Sequence, residues 1–116
     1  MKIICHSKQG VQIVTISGSL THIDTQKARD EFEKIITIET AHIVLNLQYL
    51  NYIDARGLSV FISAAKRARH YQGGIVLANV PPTIIALIEL TRLQHTFCIY
   101  HDEAAAIASF QDSTLL

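Results

Sequence analysis

His42-Ile43-Val44-Leu45-Asn46-Leu47, then Tyr52-Ile53-Asp54-Ala55-Arg56-Gly57-Leu58 and on to His70, is the stretch whose reading decides the fold. Ile43, Leu45 and Leu47 alternate with Val44 and Asn46, which is the period-2 pattern of a strand. From Leu58 the period becomes helical, with Leu58, Phe61, Ile62, Ala65 and Ala68 on one apolar stripe. A strand therefore leads into a helix, with Gln48 to Ile53 read as part of the connection. Residues 54–57 sit at the helix N-terminus, where unpaired backbone N–H groups and the positive end of the helix dipole gather. The spacing predicts an inner strand over 43–47 and a helix that begins within about two residues of Arg56.

The flanking sequence repeats this alternation. Ile3 to His6 and Val11 to Leu20 are rich in strand formers on either side of Ser7-Lys8-Gln9-Gly10, so the chain is expected to open with a hairpin, with Gly18 marking a bulge or a close backbone approach. Asp24 is placed to cap the next helix, Ile23 to form a hydrophobic staple against Ala28, and Ala28, Phe32, Ile35 and Ile36 to form its buried stripe. Lys27, Arg29, Asp30, Glu31 and Glu33 read as its solvated face. Gly73-Gly74 precedes a nearly continuous apolar strand, Ile75 to Val80, expected to be covered on both faces. Pro81-Pro82 opens a helix over Thr83 to Leu93 whose apolar positions reach around much of its circumference and predict deep packing, with contact to a partner as the alternative. Thr96 to Tyr100 reads as a last strand, Asp102 as the cap of a helix from Glu103 to about Phe110, and residues 111–116 as a frayed tail. The order β, β, α, β, α, β, α, β, α implies a single α/β domain over 1–116, with a mixed sheet, right-handed crossovers and helices covering it.

Composition narrows the function classes. The chain has 116 residues, with ten basic and ten acidic side chains. A protein without net charge is a poor candidate for gripping phosphate backbones, so nucleic acid is not expected as a partner. Cys5 and Cys98 each lie in an apolar strand-like run and read as buried small hydrophobes rather than a disulfide. No signal-peptide pattern and no uninterrupted apolar stretch of about 18 residues is present, which leaves the cytoplasm as the expected compartment and no direct membrane insertion.

No catalytic constellation is evident. The six histidines are scattered, and none falls at metal-site spacing from another ligand type within a predicted helix. No Gly-rich phosphate loop and no Gly-x-Ser-x-Gly elbow occurs, and Cys98 has no evident base. A receiver domain would share the size and class, but the acidic pair and the late Lys that it needs are missing. No catalytic residue, cofactor or metal is assigned.

What remains is the 54–57 loop and the face of the helix that follows it. On a helical wheel Arg56, Val60, Ser63 and Arg67 share one side, flanked by Ser59, Lys66 and His70. This side reads either as a solvated surface carrying an incidental Val or as a basic docking face with a small apolar centre for an acidic partner. Arg56 opposes the helix dipole, at a cost of about 0.3 to 1 kcal/mol, so its position invites pairing with Asp54 or with a partner carboxylate.

The motifs at 42–47 and 52–58 resemble the centre of STAS domains, named for sulfate transporters and anti-sigma factor antagonists. Ser17-Gly18-Ser19-Leu20, the Gly-Gly entry to the Ile75 strand, Leu90-Thr91-Arg92-Leu93 and Phe97-Cys98-Ile99-Tyr100 fall where that family has their like, so the resemblance covers most of the chain. It implies a bacterial anti-sigma factor antagonist that binds a kinase-type anti-sigma factor; together with the helix face read above, this makes Asp54, Ala55, Arg56, Gly57, Ser59, Val60, Ser63 and Arg67 the expected partner-binding residues. In that family a Ser or Thr directly after the motif Asp is phosphorylated and the interaction ends. Here that position is Ala55, which has no hydroxyl, and Arg56 also departs from the small residue usual before the Gly. Ser59 and Ser63 do not match the acceptor position and read as surface serines. The second reading is a STAS subunit of a larger assembly, such as a signalling scaffold or a lipid-transport complex, with no sigma factor involved. Homodimer formation stays open on either reading.

Overall fold

A computed structural model of the protein describes residues 1–112. Strands β1 (Lys2–Lys8) and β2 (Val11–Leu20) form the opening antiparallel hairpin. Strand β3 (His42–Asn46) lies parallel to β2, β5 (Gly74–Ala78) lies parallel to β3, and β6 (Cys98–Tyr100) closes the sheet beside β5. The spatial order is β1-β2-β3-β5-β6, which makes β3 the inner strand that the alternation predicted.

A sixth strand, β4 (Leu50–Ile53), pairs in parallel with the far end of β2, over Gly18 to Leu20. The expected connection thus shortens to a turn at Gln48 and Tyr49. Leu50 and Ile53 are buried while Asn51 and Tyr52 between them are exposed, so the segment lacks the strict alternation by which a strand is read. The pairing of β2 shifts register between Gly18 and Ser19, and Gly18 adopts φ 87°, a conformation open to glycine and costly to other residues.

Helices α1 (Thr25–Ile35), α2 (Ala55–His70) and α3 (Pro82–Leu90) cover one side of the sheet, and α4 (Glu103–Asp112) covers the other. Side chains of β3 divide between the two. Ile43 and Leu45 pack with Phe32, Phe61, Ile84 and Ile88, whereas Val44 belongs to the opposite side, with Val11, Ile13, Val76, Ala106 and Ile107. Phe32 of α1 and Phe61 of α2 meet edge to face, with centroids 6.3 Å apart and planes at 85°. Burial on both sides accounts for the unbroken apolar run of β5.

Several local expectations are corrected. Asp24 stands at the N-cap of α1, but its carboxylate turns back to accept the N–H and hydroxyl of Thr21 at 3.2 and 3.3 Å instead of capping the helix. Ile23 is 80 % exposed, so it forms no staple. Helix α3 ends at Leu90 rather than Leu93, because Arg92 adopts φ 60° and starts a short 3-10 turn over Leu93–His95. Only Ile84 and Ile88 of α3 are buried and Leu90 is 82 % exposed, so the helix is not deeply packed. Cys5 and Cys98 are free and exposed, because β1 and β6 are the two edge strands of the sheet. Asp102 caps α4 as expected, accepting the Ala105 N–H at 2.8 Å, and the helix continues through Gln111 to Asp112. The rest of the expected frayed tail, 113–116, lies outside the described residues.

Candidate functional site

The end of β4 delivers Asp54 to the N-terminus of α2 in an extended conformation, as an N-cap residue requires. Its Oδ1 accepts the Gly57 N–H at 2.8 Å and its Oδ2 accepts the His22 N–H at 2.9 Å. The His22 imidazole Nδ1 lies 3.6 Å from the same Oδ2. The hydrogen bond from Gly57, helped by those from His22, holds the Asp54 carboxyl below the usual carboxylate range. Asp54 therefore joins the loop before α1 to the start of α2, and the pairing with Arg56 considered from sequence is replaced by one with His22.

Gly57 is buried where α2 meets β2. A Cβ on it would stand 2.3 Å from the Leu20 carbonyl oxygen and 2.8 Å from Cγ1 of Ile53. Glycine is needed here for close approach of the helix, which brings the first turn of α2 level with the end of β2.

Ala55 and Arg56 are the exposed residues of that turn. Arg56 has no ion pair or side-chain hydrogen bond among the described residues. A shallow depression links His22, Asp54, Ala55 and Arg56, and a larger cleft of about 500 Å³ lies on the other side of Asp54 and Ala55, bounded by Tyr52, Thr83 and Leu87. Tyr52 is 56 % exposed. Arg56 on one side and Tyr52 with the cleft on the other thus border Asp54 and Ala55 at one helix end.

The remaining predicted residues are placed differently. Val60 is 1 % exposed and packs in the core beneath α1, so it supplies no apolar centre to an open face. Arg29 of α1 donates to Ser63 Oγ at 2.8 Å and to Ser59 Oγ at 3.2 Å. Arg67 donates to the carbonyls of Ile36 and Glu33 at 2.8 and 3.1 Å, occupying acceptors at the C-terminal end of α1. The stripe from Val60 to Arg67 is therefore largely a helix-helix contact. Arg29, read as part of a solvated face, belongs to that contact.

His22, Tyr52, Thr83 and Leu87 also border the site, although the sequence does not mark them as site residues. His22 and Asp54 are 32 positions apart, and no periodicity within either segment signals that they meet. Among the described residues, no three His, Cys, Asp or Glu side chains come together as a metal site would need, and no helix is long and apolar enough to cross a membrane.

Comparison with known proteins places these features in a family. The STAS domain model matches residues 2–106. An anti-sigma F factor antagonist of Paenibacillus polymyxa is 29% identical over 104 residues, covering 89% of each chain. SpoIIAA, an anti-sigma factor antagonist solved in its unphosphorylated form, superposes with a TM-score of 0.74 at 16% identity, over 95% of this chain and 98% of its own. The murine anion transporter Slc26a9 superposes with a TM-score of 0.78 at 17% identity, over 92% of this chain but 18% of the transporter.

Proposed function

The chain belongs to the STAS domain family, and from that membership we propose that it is a non-enzymatic, cytoplasmic regulator that acts as an anti-sigma factor antagonist by binding a kinase-type anti-sigma factor. The observation that carries the reading is the N-terminus of α2, where Asp54 is committed to the protein's own backbone while Ala55 and Arg56 stand exposed. Gly57 keeps this turn against the sheet. Arg56, the accessible edges of Ser59 and Ser63, and the cleft beside Tyr52 and Leu87 form the docking surface. An exposed cation and an aromatic ring at the same helix end suit an acidic partner surface, with charge steering encounter and the Tyr52 and Leu87 side of the cleft excluding water. Val60 and Arg67 support that surface from beneath and from the far end of α2.

Ala55 occupies the position that carries the phosphoacceptor in the antagonists this chain resembles. Without a hydroxyl it accepts no phosphoryl group, so the protein stays in its binding form in the presence of kinase and ATP. The test is affinity capture by the wild type and by Arg56→Glu in parallel, with identification by mass spectrometry. A histidine-kinase-like ATPase retained by the wild type and lost from Arg56→Glu is the expected result. Equal capture by both would move the docking surface elsewhere.

The likeness to a transporter's STAS segment favours the second reading, a subunit of a larger assembly. Capture of a permease and its ATPase in the same experiment would support it.

A further inference from the structure

The groove between α1 and α2 holds two guanidinium groups without a carboxylate partner. Arg29 donates to the hydroxyls of Ser63 and Ser59, and Arg67 to the carbonyls of Ile36 and Glu33. All four acceptors are neutral. The ion pairs found among the described residues, His22 with Asp54 and Lys34 with Glu31, include neither arginine. Both side chains line one cavity of about 210 Å³, together with Phe32, Glu33, Val60 and Ser63. Glu33 is the acidic residue of this lining, and it gives Arg67 its backbone carbonyl rather than an ion pair.

A guanidinium carries five N–H donors in a rigid fork, and each arginine here commits two of them to the protein. The committed bonds hold the forks in place while the others remain for a ligand, which lowers the ordering cost of binding. We propose that this groove binds a small phosphate monoester, with its dianionic head between Arg29 and Arg67 and the Ser63 hydroxyl as a further donor. A tetrahedral phosphate offers oxygens to two forks that need not share a plane, and charge-assisted bonds of this kind are the strong ones. The cavity lies below the roughly 300–1,000 Å³ of drug-sized sites, which limits the ligand to a compact one.

The test titrates phenyl phosphate into the full chain and follows backbone amide resonances, with sodium chloride at matched ionic strength as the reference. Saturable shifts centred on Ser63, Ala64 and Arg67 are expected, absent with chloride. Arg29→Gln and Arg67→Gln should each raise the Kd about tenfold, as loss of a charge-assisted contact does, while Arg69→Gln, exposed on the same helix, should leave it unchanged. Arg67→Gln also removes bonds to the end of α1, so if it fails to fold, Arg29→Gln alone decides. Shifts that do not saturate, an equal loss in Arg69→Gln, or an unchanged Kd in Arg29→Gln would overturn the proposal.

Discussion

Asp54 Oδ2 accepts the His22 N–H at 2.9 Å and so ties the loop before α1 to the first turn of α2. The other carboxylate oxygen caps α2 through Gly57. Because these bonds lower the Asp54 pKa, the carboxylate's contribution to stability is present above its unfolded value of about 3.9 and is lost as pH falls through the folded value. Asp54→Asn should melt below the wild type at neutral pH, with the gap narrowing as the pH drops below about 4. Thermal melts across pH check this.

Gly57→Ala should destabilise the fold by about 1–3 kcal/mol or more, since the new methyl meets the Leu20 carbonyl oxygen and Ile53. Urea denaturation measures it. Loss of partner binding in this variant would follow from displacement of the first turn of α2, not from a lost contact.

Val60 and Arg56 should separate stability from binding. Val60→Ala empties a core position and should cost about 2 kcal/mol in unfolding free energy. Arg56→Glu should leave melting unchanged or slightly raised, since an acidic group suits the helix N-terminus, but should weaken the partner complex and slow its association, more at low salt than at high. Association kinetics at two ionic strengths, with melts of both variants, distinguish the effects.

The order of strands and helices was legible because alternation and helical period report which side of an element is buried. That information reached as far as β3, α2 and the covered strand β5. It failed at β4, where two exposed residues in succession hide the strand, and at Cys5 and Cys98, whose apolar runs do not reveal that they lie on edge strands. The place of Asp54 at the start of α2 was legible from the sequence, whereas its cap on Gly57, found in place of the expected pairing with Arg56, and its bond to His22 depend on how the elements pack. The same limit applies to Val60 and Arg67. A helical wheel assigns them to a side of α2 but does not show that α1 covers it.

Exposure of the two cysteines is directly measurable. A maleimide added to the native protein should label both, giving two mass increments without denaturant. Desolvation raises the Cys5 pKa, so its labelling should keep accelerating as pH rises past the thiol's ordinary range.

A docking surface at the start of α2 that phosphorylation does not switch off is tested by mixing the wild type with the proposed kinase-type anti-sigma factor and ATP. Intact mass should remain unchanged and the complex should persist on gel filtration, while Ala55→Ser should gain one phosphate and release the partner. A phosphate on wild-type Ser59 or Ser63, accompanied by loss of the complex, would show instead that the switch lies further along α2.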